Sequence, residues 1–369
     1  MQGSRNSLQL TSIQIKNFRC FAGATIAFES PIVLVQGNNG SGKTSLLEAL
    51  HYLCYLRSFR THTPRDLIQS GSDGFFIKAS FDQQINQQLF THNVQVGFSG
   101  KKRLVKMNEQ SVSSYKELID HYRIITLTED DLQLINQGPE VRRAFIDQGI
   151  LLHDPEFIST LKAYKQIVDN RNKLLMVGSR DKDAFDIWTQ QLWATATIIQ
   201  ERRIQFLANI ELEVNNLLAQ YFTKEDLSIQ FTYGAKKMGQ GSFDEFKAEN
   251  ADLYAQEARF GRSLFGAHLD DFAIKFQDRK SKAFASRGQQ KLIIILIKIA
   301  QIKQLGVLKG PAVFLLDDFM TDFDQARAQT FMDILAGLES QLIFTSPLAT
   351  GSFEQRLGEQ GAQRITLTH

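Results

Sequence analysis

Gly37, Gly42, Lys43 and Thr44 fit the pattern Gly-x-x-x-x-Gly-Lys-Ser/Thr within the stretch GNNGSGKT. Glycines in such a loop let successive backbone N–H groups turn inward at the start of a helix, where the helix dipole favours an anion. The lysine can reach terminal phosphates, and the threonine hydroxyl can ligate Mg²⁺. The expected contact set for ATP is Gly37, Asn38, Asn39, Gly40, Ser41, Gly42, Lys43, Thr44 and Ser45.

Such a loop requires an acid at the end of an apolar strand. Asp317 and Asp318 supply it, following the run AVFLL. A carboxylate at a strand end is costly to bury without a partner, so two adjacent acids point to a cation. Asp317 is expected beside Mg²⁺ with Thr44, and Asp318 is expected to polarise the attacking water. With Lys43, these two acids form the expected catalytic set. A third cluster, Ser286, Arg287, Gly288 and Gln289, opens the apolar run KLIIILIKIA. A hydroxyl and an accessible backbone at a helix start again suit an anion.

These groups need strands and helices to hold them. Ile32 to Val35 read as a buried strand before the glycine loop, and helix formers follow it. Ala312–Leu316 and Gln341–Thr345 read as further buried strands, with helices at Lys291–Ala300 and Gln325–Leu335. Residues 8–100 are β-rich. Between them, Phe157, Leu161, Tyr164, Val168, Asn172 and Leu175 recur at helical spacing, and a second helical tract runs from Phe185 to Tyr221. Gly178 and Ser179 supply the turn between these tracts, and Met238 to Ser242 read as a loop. The long separation of Lys43 from Asp317 requires a large insertion. The expectation is an α/β P-loop fold: an ATPase lobe over 1–125 and 292–369, split by a mainly helical lobe over 126–291 that carries the signature cluster.

A net charge of +2 over 369 residues demands neither a nucleic acid nor a membrane partner, so any basic surface must be local. The local basic groups, each able to contact phosphates, are Lys101-Lys102-Arg103, Arg202-Arg203, Lys236-Lys237 and Arg279-Lys280. Arg142-Arg143 reads as lobe packing or interface at least as readily. Two cysteines, Cys20 and Cys54, fit a reduced cytoplasmic protein, and no apolar run approaches the ~20 residues that span a bilayer.

The order of glycine loop, Ser-x-Gly-Gln helix and acidic strand resembles the ABC-type ATPases. The resemblance implies that Ser286 to Gln289 meet the γ-phosphate of ATP held by a second subunit. It also implies that Asp322 and Asp324, in MTDFD, lie in a loop at the dimer interface. Thr345 falls at the switch position where many relatives have histidine, which argues against a membrane transporter.

Several longer stretches resemble one bacterial family, RecF: IKNFRCF, GNNGSGKTSLLEALHYLCYLRSFR, EDDLQLINQGPEVRRAFID, AYKQIVDNRNKLL, ASRGQQK and PAVFLLDDFMTDFD. The likeness implies an SMC-like head without a long coiled coil, two ATP molecules sandwiched between two monomers, and weak DNA-stimulated ATPase activity without nuclease activity. It implies work in DNA replication, recombination and repair near the nucleoid. The homodimer would clamp duplex or gapped DNA and, with RecR and RecO, load RecA. Arg19 and Arg60, by position in the matched motifs, are the candidates for adenine contact. The chain departs from the family at Ala267, Leu269 and Glu129. Two alternatives stay open: another SMC-like ATPase of defence or segregation, and an ATP-gated DNA scaffold with little turnover.

Overall fold

The computed structural model describes residues 7–85, 88–112, 115–177, 182–235, 241–318, 323, 325–348 and 352–368. Two compact units emerge: Met1–Asp131 with Lys291–His369, and Leu132–Gln290.

The first unit holds two sheets. Its parallel sheet contains β3 (Ile32–Gly37), β8 (Ile124–Leu127), β12 (Val313–Leu316), β13 (Gln341–Ser346) and β14 (Gln363–Leu367), in the order β14-β3-β13-β12-β8. Every residue of β8, β12 and β13 is buried. A parallel strand covered on both faces reads as a continuous apolar run, which is how VFLL reads, while IITL carries Thr126 and QLIFTS carries Gln341, Thr345 and Ser346 among apolar residues. The helix Lys43–Tyr55 buries every residue except Thr44. Leu46, Leu47, Leu50 and Leu53 are fully enclosed, each worth about 2 kcal/mol of burial.

The second sheet is antiparallel, in the order β2-β1-β4-β5-β6-β7. Its strands are β1 (Ser7–Phe18), β2 (Phe21–Ala27), β4 (Phe75–Ile85), β5 (Gln88–Phe98), β6 (Arg103–Met107) and β7 (Gln110–Ser111). The register of β1 on β4 slips between Leu10 and Ser12. Gln341 of β13 repairs the slip: its buried amide accepts from the Leu10 N–H at 2.8 Å and donates to the Leu10 carbonyl at 3.0 Å.

The expected boundary at residue 125 moves to Asp131. The reason is electrostatic: Glu129 pairs with the buried Lys291, and Asp131 lies 2.7 Å from Lys298. Both lysines belong to the helix Arg287–Lys309, which is longer at each end than the sequence pattern indicated.

The second unit is built on helices Pro139–His153, Phe157–Val177 and Lys182–Tyr221. Gly149 allows close packing, because a Cβ there would sit 2.2 Å from the Phe206 ring. Fully buried Arg171 is held by Glu257 through bonds of 3.0 and 2.5 Å, with Ser263 at 2.8 Å and the Phe185 ring 4.5 Å away. The unit also contains a three-stranded antiparallel sheet that periodicity did not indicate: β9 (Ile229–Gly234), β10 (Asp271–Phe276) and β11 (Arg279–Lys280). The expected turn at Gly178-Ser179 and residues 238–240 of the expected loop lie outside the described residues.

Candidate nucleotide site

Strand β3 delivers the chain into the glycine loop, and the helix begins at Lys43. Gly40 and Gly42 have φ of 86° and 97°, a left-handed region that side chains disfavour. Space is equally decisive at Gly42, where a Cβ would lie 2.7 Å from Cys20 Sγ. Lys43 is folded onto its own loop, donating to the carbonyls of Gly37 at 2.9 Å and Asn38 at 3.3 Å. The buried Ser41 hydroxyl has no hydrogen-bond partner. A cavity of about 280 Å³ opens here, lined by Asn39, Gly40, Gly42, Lys43, Thr44 and Ser45 together with Cys20, Arg60 and Asp318. An orphaned hydroxyl, a re-aimable ammonium and glycines at 37 and 42 where a Cβ would clash fit a polyphosphate.

Strand β12 brings the acids to this loop. Thr44 Oγ1 donates to Asp317 Oδ1 at 3.1 Å, and Thr345 Oγ1 donates to the same oxygen at 2.8 Å. The Thr345 hydroxyl also accepts the Asp318 N–H at 2.9 Å. Burial pushes the Asp317 carboxyl above its ordinary range, with the nearby Asp318 charge adding to the shift. Hydrogen bonds from Thr345 and Thr44 and the Arg60 charge oppose it. A carboxylate disfavoured by burial in this way is stabilised by a cation, so Thr44 and Asp317 fit Mg²⁺. Asp318 has a φ of 45° and lines the cavity.

The two candidate arginines separate. Arg19 is engaged within the protein: its Nε and Nη2 bind Glu48 at 2.8 and 2.7 Å, and its Nη1 binds the Asp66 carbonyl at 2.8 Å. With its donors so engaged it stands outside the cavity lining, whereas Arg60 is part of it. Glu48, fully buried, also accepts from Ser58 at 2.5 Å and from Arg60 at 3.4 Å. The Ser58 hydroxyl in turn accepts the N–H groups of Arg60 and Thr61. Glu48 and Ser58 thus fix the turn that presents Arg60. Sequence reading missed both, although a lone acid within LLEALHYLCYL is a buried charge that calls for basic partners.

At the start of the helix Arg287–Lys309, Ser286 and Gln289 form a reciprocal cap. Gln289 Oε1 accepts the Ser286 N–H at 2.8 Å, and Ser286 Oγ accepts the Gln289 N–H at 3.3 Å. Ser286 and Arg287 are exposed, and Gly288 is half-buried. Asp322 and Asp324 lie outside the described residues.

The proposed DNA contacts also divide. Lys101 and Lys102 are exposed. Arg103 donates to the Leu56 carbonyl at 2.8 Å, and Arg202 pairs with Asp154 at 2.8 Å. Arg203 is corrected: it is 4% exposed, binds both oxygens of Asp147 at 2.8 and 2.9 Å, and reaches the Ala267 carbonyl at 2.6 Å. It is a strut of the second unit. Arg142, on Asp271, and Arg143, on the Asp270 carbonyl, also pack within that unit. Lys236 and Lys237 lie outside the described residues.

Residues 9–358 match the RecF/RecN/SMC N-terminal domain. The chain is 30% identical to the DNA replication and repair protein RecF of Leptospira interrogans, covering 91% of each chain. It is 28% identical to the protein of the same name from Chloroherpeton thalassium, over 94% of this chain and 97% of that one. Among solved structures, the recombination mediator protein RecF–ATP superposes with a TM-score of 0.83 at 21% identity, over 95% of each chain. The Smc head domain of Pyrococcus furiosus superposes with a TM-score of 0.54 at 15% identity, over 95% of this chain and 91% of that one. Fold and site together define an SMC-like, ABC-type ATPase head. Within that class, the chain belongs to the RecF family of DNA replication, recombination and repair proteins.

Proposed function

We propose that this chain is an ATP-dependent DNA-binding recombination mediator whose two copies close on duplex DNA beside a single-stranded gap. The observation that carries the reading is the convergence of the Thr44 and Thr345 hydroxyls on one part-buried oxygen of Asp317 beside a lysine folded onto its loop. Lys43 would turn from the Gly37 and Asn38 carbonyls to the terminal phosphates, with the N–H groups of the glycine loop around them. Thr44 and Asp317 would hold Mg²⁺, which neutralises phosphate charge when bound. Asp318 would orient the attacking water, and Arg60 would stand at the rim of the site.

The helix start at Ser286–Gln289, with Ser286 and Arg287 exposed, suits a phosphate supplied in trans. A two-fold pairing would give each site the signature of the other protomer, so ATP binding would favour the dimer and hydrolysis would release it. With RecR and RecO, such a clamp would promote RecA loading onto the gap. The test is an Asp318→Asn variant mixed with gapped duplex DNA, with and without ATP and Mg²⁺ at fixed salt. ATP is expected to tighten binding and to raise the bound species to dimer mass. No change in affinity or mass would leave the phosphate site intact and sink the clamp.

A further inference from the structure

We propose that Lys275 and Lys280, opposed across the β10–β11 hairpin, form a DNA-phosphate contact together with Lys282 of the short helix that follows. This rests on the DNA-binding reading above and gives it a location.

The register sets Lys275 directly opposite Lys280. Like charges in directly opposed positions destabilise a strand pair, so the hairpin holds these two cations together at a cost to itself. Lys280 and Lys282 line a cavity of about 140 Å³ with Arg142 and Asp271. Asp271 does not neutralise them, because Arg142 grips both its oxygens at 2.6 and 2.9 Å. The turn carboxylate, Asp278, accepts from Gln230 at 3.1 Å. Among the described residues none of the three lysines has an ion-pair partner, whereas Arg142, Arg171, Arg202, Arg203 and Lys247 of the same unit all do. Three uncompensated ammonium groups in one place suit a polyanion of closely spaced charge, whose condensed counterions are released on contact. Arg279, though adjacent to Lys280, stands opposite Phe276 and so faces the other side, over the Phe284 ring at 5.8 Å. It is not part of the contact and serves as the control.

The experiment uses the full chain with ATP and a fluorescent gapped duplex, titrated from about 50 to 200 mM salt. A Lys275→Gln/Lys280→Gln variant is expected to show a log–log salt slope shallower by about 1.8, two contacts at roughly 0.9 each. Arg279→Gln is expected to keep the wild-type slope. The double variant should melt at or above the wild-type temperature, since it removes a repulsion. An unchanged slope in the double variant overturns the contact while leaving the clamp standing, as does a lowered melting temperature, which would assign the lysines to the fold. If the wild-type chain binds no DNA, the clamp and the contact fall together.

Discussion

Thr345 and Asp317 share a hydrogen bond of 2.8 Å beside the glycine loop, and the same hydroxyl receives the N–H of Asp318 at 2.9 Å. One side chain therefore positions both acids. Replacing Thr345 by valine preserves the shape and removes both bonds, leaving the Asp318 N–H without its acceptor and Asp317 Oδ1 with the Thr44 hydroxyl alone. The expected loss is about 1–3 kcal/mol of stability, with a larger fall in ATPase kcat than in ATP affinity. Thr345→Ser should retain both. Steady-state kinetics beside chemical denaturation distinguishes these outcomes, and equal behaviour of the two variants would remove Thr345 from the site.

Arg19 and Arg60 should respond in opposite ways. Removing Glu48 strands Arg19, so Glu48→Gln is expected to cost about 3 kcal/mol or more in denaturant unfolding. Arg19→Ala should also destabilise. Arg60→Ala gives up only a 3.4 Å contact and should leave stability nearly unchanged while weakening ATP binding, read by titration calorimetry.

Burial lowers His51 from 6.5 to about 3, with smaller contributions from the Arg57 and Lys298 charges. Between those values the unfolded chain binds a proton that the folded chain refuses. Stability from this group is therefore complete above pH 6.5 and is lost as pH falls towards 3, by up to about 1.4 kcal/mol per pH unit. Unfolding free energies measured across that window should flatten in a His51→Gln variant. An identical slope in the variant would assign the acid sensitivity elsewhere.

Arg203 offers a contrast with exposed basic residues. Its loss leaves Asp147 unpaired, so Arg203→Gln should destabilise by about 3 kcal/mol and leave the salt slope of DNA binding as it was. A shallower slope at wild-type stability would restore Arg203 as a phosphate contact.

The elements of the candidate site were legible because each has a local signature. The strand Val313–Leu316 reads as unbroken apolar residues before two acids, and the loop from Gly37 to Thr44 has only one economical use. The partners of Arg203 and Arg19 were not legible, for a common reason. A basic residue in sequence carries no mark of whether its partner is a phosphate or an acid distant in the chain, such as Asp147. The sheet β9–β11 escaped notice because its strands are short and lie between strongly helical tracts. Ser286 was legible both as a cap and as an anion site, and its reciprocal bonds with Gln289 show how one residue serves the first while leaving its hydroxyl hydrogen to donate.

Strand β3 has its neighbours β13 and β14 on either side, and the Gln341 that seals the β1 slip stands 331 positions from Leu10. The glycine loop thus emerges early in synthesis beside a strand whose partners do not yet exist. Contacts so distant in sequence form late and slowly, while the intervening unit, wholly contained in Leu132–Gln290, can fold during translation. A chain cut short before β13 would carry every residue of the phosphate loop and no sheet to hold it. Nucleotide binding in this protein is consequently a report that synthesis has passed β13 and β14.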